Sequence, residues 1–285
     1  MTISLTLTQK QIDDLIQAYP KHRSDKILPY VNAQLLLSDC TITIYTSKKV
    51  VFSGEGAAFY AKAYEVKFKA HAGSDEVGTG DVFGPVVVAA CFVDETNYEL
   101  LKMHPIQDSK KMTDEVMLVL GPILMKALPH SLLILNDQKY NDVHETDNMN
   151  AIKAKLHNQA YVHLNAKIDL IKRSTLNVVD QFTPQANYFN YLEGQKNIFT
   201  QLHFETKAES KYFAVACASI IARYAFLKEL EAMGEKYHTV FPKGASTSVD
   251  AFASDFLKKH GKSTLKKVAK LHFKNLKPLI DLQDD

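Results

Sequence analysis

The stretch GSDEVGTGDVFGPVVVAACFV, residues 73–93, decides how the chain is organised. Two adjacent carboxylates, Asp75 and Glu76, are followed by glycines at 78, 80 and 84 and then by the run VVVAACFV. That run is apolar and rich in β-branched residues, which predicts a fully buried strand. Adjacent acids beside a buried strand are costly unless hydrogen bonds or a bound cation compensate them. We therefore interpret the stretch as a hard-metal site beside a phosphate-bearing substrate, with an ordinary surface turn as the alternative.

The bulk composition is that of a globular protein. Hydrophobic residues make up 46% and charged residues 23% of the 285 positions, which is typical of such proteins. The formal net charge of +2 gives no global basic field, so any nucleic-acid signal must be local. Cys40, Cys91 and Cys217 lie far apart without a CxxC motif, which favours reduced core residues over disulfides or zinc ligands. No apolar signal segment or membrane span is present, so we expect a cytoplasmic protein without a membrane partner.

Residues 1–65 are predicted to form a small α/β domain. The predicted elements are a strand in ISLTLT from residue 3, a helix opened by the capping box Thr8-Gln9-Lys10-Gln11, a hairpin of residues 41–45 and 50–54, and a short helix over 56–64. Lysine and arginine number seven in this part of the chain and acids six, so the domain is nearly neutral. Taken alone, it reads as a packing or dimerisation appendage.

The rest of the chain, residues 70–285, is predicted to mix strands and helices in an α/β order. An alternating strand over 65–73 leads into it. Buried strands are predicted at 86–93, 132–136, 176–180 and 201–204, and helices at 114–127, 148–170 and 215–236.

A series of motifs in this part resembles the type 2 ribonucleases H. The motifs, in order, are DEVGTGD with FGPVVVAA, then DSKKMTDE (108–115), KYN (139–141), NMNAIKAKLHNQAY (148–161), VVDQF (178–182), TKAESKYFAVACASIIARYAFL (206–227) and PKGAS (242–246). The form GSDEVGTGD is similar to the ribonuclease HIII branch, because ribonuclease HII usually has Gly-Arg-Gly where this chain has Gly78-Thr79-Gly80.

The resemblance implies both fold and activity. It implies an RNase H-like mixed sheet flanked by helices over 70–285, and a TATA-box-binding-protein-like domain over 1–65 that grips the substrate duplex. The implied activity is endonucleolytic hydrolysis of the RNA strand of RNA/DNA hybrids, leaving 5′-phosphate and 3′-hydroxyl ends. The implied partner is the hybrid duplex, and we expect a monomer without an organic cofactor.

Four carboxylates are the candidate catalytic metal ligands. Phosphodiester hydrolysis by this route uses two hard cations, one to activate water and one to stabilise the departing 3′ oxygen. Mg²⁺ and Mn²⁺ prefer oxygen ligands, so several carboxylates must meet at one point. Asp180 ends an apolar run and Glu209 precedes an apolar helix, although a turn-bonding Asp and a helix N-terminal acid are the alternatives. The resemblance maps motif acids onto Asp75, Glu76, Asp180 and Glu209, with nearby Glu205 as a decoy.

Substrate recognition is predicted around the glycine-rich loop. The ribose 2′-hydroxyl can donate and accept hydrogen bonds, and backbone groups of Gly78, Thr79 and Gly80 are suitable partners, with Ser74 adding a hydroxyl. Lys110 and Lys111 are the predicted phosphate contacts. In ribonuclease HII a tyrosine follows the Lys-Gly pair near the C-terminal part and helps read a DNA–RNA junction, whereas Lys243-Gly244 is followed here by Ala245. The resemblance thus favours continuous hybrids over single embedded ribonucleotides.

The segment Lys258–Lys277, hereafter the lysine segment, contains eight lysines and no acid. We predict that its apolar residues pack inward and that its ammonium groups face outward as a local basic patch. Three other functions remain as alternatives: repair of single ribonucleotides, non-catalytic hybrid binding, and a metal phosphatase that does not act on nucleic acid. Retention of the four acids speaks against pure binding, and the lysine segment against the phosphatase.

Overall fold

The computed structural model describes residues 1–26, 28–64, 68–106 and 112–276. The chain divides into two compact units, Met1–Lys67 and Phe68–Asp285. The division falls between the two ranges, 1–65 and 70–285, that the sequence assigns to separate domains. Across the described ranges, no helix combines the length and apolar character that crossing a membrane requires.

The first unit is an antiparallel sheet with helices packed on it. Its described elements are β1 (Thr2–Thr6), α1 (Gln9–Ala18), a 3₁₀ turn (Pro20–His22), β2 (Val31–Leu36), β3 (Cys40–Tyr45), β4 (Lys49–Gly54) and α2 (Ala57–Lys62). The sheet order is β1-β4-β3-β2. The predicted first strand, hairpin and both helices are confirmed, whereas β2 was not predicted because its sequence, VNAQLL, hardly alternates.

Local sequence explains these elements. The Gln11 backbone N–H donates to Thr8 Oγ1 at 3.3 Å, and the Thr8 N–H donates to Gln11 Oε1 at 2.9 Å, so the predicted capping box starts α1. In β3 the alternating residues Cys40, Ile42 and Ile44 are buried against Ile12 and Leu15 of α1 and other core residues. The intervening residues of β3 therefore lie on the opposite face of the sheet.

The second unit is a mixed sheet between helices. Its described elements are β5 (His71–Val77), β6 (Val86–Val93), α3 (Glu95–Leu101), α4 (Asp114–Ala127), β7 (His130–Leu135), α5 (Asp137–His144), α6 (Met149–Ile168), α7 (Leu170–Arg173), β8 (Asn177–Asp180), α8 (Gln185–Asn190), β9 (His203–Glu205), a 3₁₀ turn (Ala208–Ser210), α9 (Phe213–Tyr237), α10 (Thr247–His260) and α11 (Lys262–Leu265). The sheet order is β7-β6-β5-β8-β9. The first three strands of that order pair antiparallel and the last three pair parallel. This arrangement confirms the predicted mixed α/β fold.

Strand β6 is the centre of this unit, as its sequence predicts. All eight of its residues are buried. Val87, Ala89, Cys91 and Val93 belong to the core formed with α9, whereas Val88, Ala90 and Phe92 belong to the core formed with α6. Because helices cover both faces, the strand reads as a continuous apolar run instead of an alternating one.

Glycine allows α9 to approach the sheet at Gly73. A side chain at that position would place its Cβ 2.3 Å from the backbone nitrogen of Val215 in α9. Any other residue would push the helix away from β5, so this glycine sets the distance between the two elements that carry the site described below.

One prediction about this unit is wrong in part, and several helices of the unit were not predicted. The strand predicted over 65–73 begins only at His71, where pairing with Val93 of β6 starts, and it continues through both acids to Val77. Its residues 65–67 lie outside the described ranges. Six described helices of this unit were not predicted, α3, α5, α7, α8, α10 and α11. Five of them have eight residues or fewer, which gives a weak signal, whereas α10 has 14 residues with apolar residues at helical spacing and was missed.

Candidate active site

Adjacent parallel strands bring three of the four predicted acids together. In the pairing of β5 with β8, Ser74 lies opposite Val179. The next residue on each strand is an acid, Asp75 on β5 and Asp180 on β8, and Glu76 follows directly. Because parallel strands point the same way, these carboxylates stand at one edge of the sheet.

The fourth acid, Glu209, comes from the 3₁₀ turn that precedes α9. Its residue is 4% exposed, and its carboxylate lies close enough to Asp180 to raise the pKa of that acid. The decoy Glu205 instead makes an ion pair with Lys211 and lies 3.6 Å from His203 Nε2. Of these two neighbouring glutamates, Glu209 therefore lies with the other acids and Glu205 does not.

One open cleft of about 480 Å³ collects all four predicted acids. Its lining residues are Asp75, Glu76, Val77, Met112, Asp114, Met117, Asp180, Glu209, Ser219 and Arg223. A second cleft of about 480 Å³, beside the C-terminal half of α6, is lined by amides, apolar groups and Lys196 but by no carboxylate. Of these two clefts, the first offers the charged carboxylate ligands by which proteins hold Mg²⁺.

The crowded carboxylates disturb one another's ionisation. Burial and the charge of Glu76 raise the pKa of Asp75 well above its usual range, although a hydrogen bond from Ser219 of α9 opposes the shift. Burial, together with the neighbouring Glu209 and Glu76, raises the pKa of Asp180 to about 6. The Ala208 N–H, which donates to Asp180 Oδ1 at 2.9 Å, works against that rise. Such mutual repulsion is what a bound cation relieves.

Glu76 differs because α6 supplies it with donors. Burial alone would raise the pKa of Glu76, but His157 and Lys153 outweigh it and hold this pKa below the usual range. Lys153 Nζ contacts Glu76 Oε1, and His157 Nε2 lies 2.9 Å from Glu76 Oε2. Neither residue was predicted to take part in the site, although their spacing of four in a helix places them on one face.

The donor set fits a divalent cation. Four carboxylates share one cleft, and carboxylate oxygens are ligands that suit Mg²⁺ and Mn²⁺. Within the described ranges, no three His, Cys, Asp or Glu side chains already form a metal-coordinating group.

The glycine-rich loop adjoins the cleft through β5. Gly78 has φ +90°, and a Cβ there would lie 2.0 Å from the carbonyl oxygen of Pro85, so only glycine fits the turn. Gly78 is buried, Thr79 is half-buried and Gly80 is exposed. Ser74, in contrast, is fully buried, and its hydroxyl lies 2.8 Å from His157 Nδ1. This placement does not support the predicted contact of the Ser74 hydroxyl with substrate.

The loop containing Ala245 lies beside the glycine-rich loop. The Gly244 N–H donates to Asp81 Oδ1 at 2.6 Å, and the Val82 N–H donates to the Gly244 carbonyl at 3.0 Å. Ala245 is exposed next to this contact. The residue that the sequence analysis contrasts with the tyrosine of ribonuclease HII therefore lies on the surface beside the glycine-rich loop.

Basic groups also border the cleft. Lys110 and Lys111 lie outside the described residues, but α4, which begins shortly after them, contributes Asp114 to the lining. Asp114 Oδ1 accepts from Arg223 Nε at 2.9 Å, and its other oxygen contacts Lys243 Nζ. Asp114 thus fixes two cations near the carboxylates.

The structure corrects the prediction for the lysine segment. Leu265, Val268 and Ala269 are buried as predicted. Lys270, however, is 0% exposed, and its ammonium donates to the carbonyl of Asp81 at 3.0 Å and to that of Gly84. The outward orientation is wrong for this lysine because it serves as an internal anchor of the glycine-rich loop.

Comparisons with known proteins agree with this architecture. Residues 72–276 match the family model described as Ribonuclease HII, and residues 2–76 match one described as Domain of unknown function (DUF3378). Ribonuclease HIII of Bacillus subtilis is 38% identical over 270 residues, covering 86% of this chain and 86% of its own. Ribonuclease HIII of Streptococcus mutans is 37% identical and covers 99% of this chain and 98% of its own. The crystal structure of Bst-RNase HIII in complex with Mn²⁺ aligns with a TM-score of 0.74 at 32% identity over 99% of both chains.

The mixed sheet and the carboxylate cleft define a metal-dependent nuclease of the type 2 ribonuclease H class. Among the branches of that class, full-length similarity decides the assignment, since it includes the N-terminal unit as well as the catalytic one. The chain belongs to the ribonuclease HIII family. It is an endonuclease that cuts the RNA of RNA/DNA hybrids and requires a divalent cation, as the sequence predicted.

Proposed function

We propose that Asp75, Glu76, Asp180 and Glu209 hold the divalent cations and are the catalytic residues of hybrid cleavage. The observation that carries the proposal is their convergence on one cleft from two adjacent parallel strands and the turn before α9. When bound, Mg²⁺ or Mn²⁺ supplies an activated water and stabilises the departing oxygen. The products are a 5′-phosphate and a 3′-hydroxyl end.

The protein's own groups set the positions of these ligands. Ser219 and the Ala208 N–H orient Asp75 and Asp180, while Lys153 and His157 orient Glu76. These donors lie on α6, on α9 and in the 3₁₀ turn, so rigid elements fix the cleft before substrate arrives.

We assign ribose reading to backbone groups of Gly78, Thr79 and Gly80. The exposure of Gly80, where an added Cβ would meet nothing within 4 Å, supports close approach of a sugar-phosphate backbone. Lys110 and Lys111 would contact phosphates, because ammonium groups supply sequence-independent affinity for the duplex.

The N-terminal unit, in this proposal, grips the hybrid. Its helices pack on one face of the sheet, and the opposite face carries polar side chains, with Gln34 Nε2 donating to Thr43 Oγ1 at 3.3 Å across strands β2 and β3. A sheet laid on a minor groove is an established mode of binding nucleic acid.

The remaining assignments concern the protein's setting. We propose a cytoplasmic monomer that needs no organic cofactor. Its three cysteines are buried and free, which fits a reducing compartment.

The two neighbouring glutamates test the ligand assignment. Glu209→Gln is expected to lower the rate of hybrid cleavage by about 10²-fold or more, because it removes one ligand charge from the cleft. Glu205→Gln is the matched control and should change the rate less than about twofold, since it removes only an exposed ion pair. Steady-state cleavage of a labelled hybrid in Mn²⁺ measures both. Equal losses in the two variants would contradict the assignment.

Substrate choice provides the second test. A continuous RNA/DNA hybrid is expected to be cut at least about 10-fold faster than DNA with a single ribonucleotide, because Ala245 offers no ring to stack at a junction; one base–aromatic stack is worth about 1–3 kcal/mol. Ala245→Tyr should narrow the difference. Efficient incision at the lone ribonucleotide by the unmodified protein would instead assign it to the repair of single ribonucleotides.

A further inference from the structure

We infer that His157 is a positioning residue that holds the Glu76 carboxylate in the orientation in which it ligates the cation. This inference rests on the proposed role of Glu76 as a ligand. It concerns a buried histidine in the middle of α6, within the motif NMNAIKAKLHNQAY of residues 148–161.

The ring bridges two side chains of one strand. Nδ1 of His157 lies 2.8 Å from Ser74 Oγ, and Nε2 lies 2.9 Å from Glu76 Oε2. A carboxylate only accepts, so Nε2 must carry a proton and donate it to Glu76. In the neutral ring, Nδ1 then accepts from the Ser74 hydroxyl, and this bond fixes the tautomer.

Strand geometry explains why the ring reaches Glu76 and not Asp75. Ser74 and Glu76 are two residues apart in β5, so their side chains share the sheet face that packs on α6. Asp75 points to the other face, where Ser219 of α9 meets it. Each of the adjacent acids is therefore held by a different helix.

The ring has little freedom to move. His157 is 0% exposed, and it stacks on Phe182 with ring centroids 5.4 Å apart. Lys153, which takes the other Glu76 oxygen, places Nζ 4.0 Å from the centroid of the same phenyl ring. Both oxygens of Glu76 are thus fixed, and each keeps a second lone pair for a cation. Outer donors of this kind orient a ligand in advance and tune metal affinity.

Two substitutions separate the contacts of the ring. Gln can place an amide N–H near the position of Nε2, so His157→Gln keeps the donor to Glu76 and loses the bond to Ser74. Asn reaches only the position of Nδ1, so His157→Asn keeps a partner for Ser74 and loses the donor to Glu76. His163→Asn, at an exposed position of α6 bonded to Gln159, is the control.

The measurement is Mn²⁺ affinity without substrate, followed by the electron paramagnetic resonance signal of free Mn²⁺. His157→Asn is expected to weaken binding about 10–100-fold, whereas His157→Gln and His163→Asn stay within a few-fold of the unmodified protein. Equal weakening by both His157 variants would mean that the ring only maintains packing, and the inference would fall. Unchanged affinity in His157→Asn would also overturn it.

A double-mutant cycle separates this inference from the ligand proposal. If Glu76→Gln alone leaves Mn²⁺ affinity unchanged, the ligand role of Glu76 is wrong. If Glu76→Gln weakens binding and His157→Asn adds no further loss on that background, His157 acts through Glu76. If His157→Asn weakens Mn²⁺ binding as much in the Glu76→Gln variant as in the unmodified protein, His157 does not act through Glu76. Should His157→Asn not fold, Ser74→Ala replaces it: it frees the ring and should weaken Mn²⁺ binding several-fold, and an unchanged affinity would refute the inference.

Discussion

Asp75→Asn is expected to abolish hybrid cleavage, with a loss of about 10³-fold or more, while the protein remains folded. This loss of rate is larger than that expected from removing one hydrogen-bond donor, because the substitution removes the charge of a metal ligand while the size of the side chain stays the same. Asp75 is buried beside Glu76, and burial followed by that charge raises its pKa. In the absence of metal its charge therefore opposes folding, so the neutral amide should not lower the thermal unfolding temperature.

Metal-dependent stabilisation supplies the control for this prediction. A ligand that binds only the folded state raises the unfolding temperature of the protein. Mn²⁺ should therefore raise this temperature for the unmodified protein and for Glu205→Gln, and should raise it less for Asp75→Asn. Cleavage by Asp75→Asn at the rate of the unmodified protein would refute the metal role of this residue, whatever its stability.

The sequence predicts the catalytic unit well where pattern and packing coincide. Strand β6 and helix α4 have the predicted bounds, 86–93 and 114–127, because an apolar run and a long helical repeat each reflect burial directly. The four acids were found from motif resemblance, and the parallel pairing of β5 with β8 explains why acids so distant in sequence meet.

Other features depend on contacts that no local pattern encodes. His157 and Lys153 look like ordinary helix residues until β5 is placed against α6. Lys270 shares its charge and its surroundings in sequence with exposed lysines of the same segment, and only the packing of that segment on the glycine-rich loop distinguishes it. Tertiary position, and not composition, determines the role of such residues.

Lys270 leads to the second large expected effect. Its backbone N–H donates to the Val82 carbonyl at 2.8 Å, so the lysine segment pairs with the glycine-rich loop. Its ammonium lies 3.5 Å from Asp137 Oδ1, and both side chains are almost completely buried. Burial raises the pKa of Asp137 to about 6, even though the charge of Lys270 opposes the shift. Lys270 is thus the counter-charge of the buried Asp137, and it also holds the glycine-rich loop by hydrogen bonds to its carbonyls.

Lys270→Met should destabilise the catalytic unit by about 3–5 kcal/mol, because removing one partner of a buried pair leaves the other charge uncompensated. Exposed Lys267→Met is the matched control and should stay within about 0.5 kcal/mol.

The loss of stability in Lys270→Met should also depend on pH. Without Lys270 the folded pKa of Asp137 rises further above about 6. At about pH 5 the folded protein then holds Asp137 protonated with or without Lys270, so the missing counter-charge costs less there than at pH 8. Urea unfolding at about pH 5 and pH 8 measures this, with the larger loss expected at pH 8. A loss independent of pH would show that the hydrogen bonds from the Lys270 ammonium to the glycine-rich loop, and not the charge pair with Asp137, account for the stability that Lys270 provides.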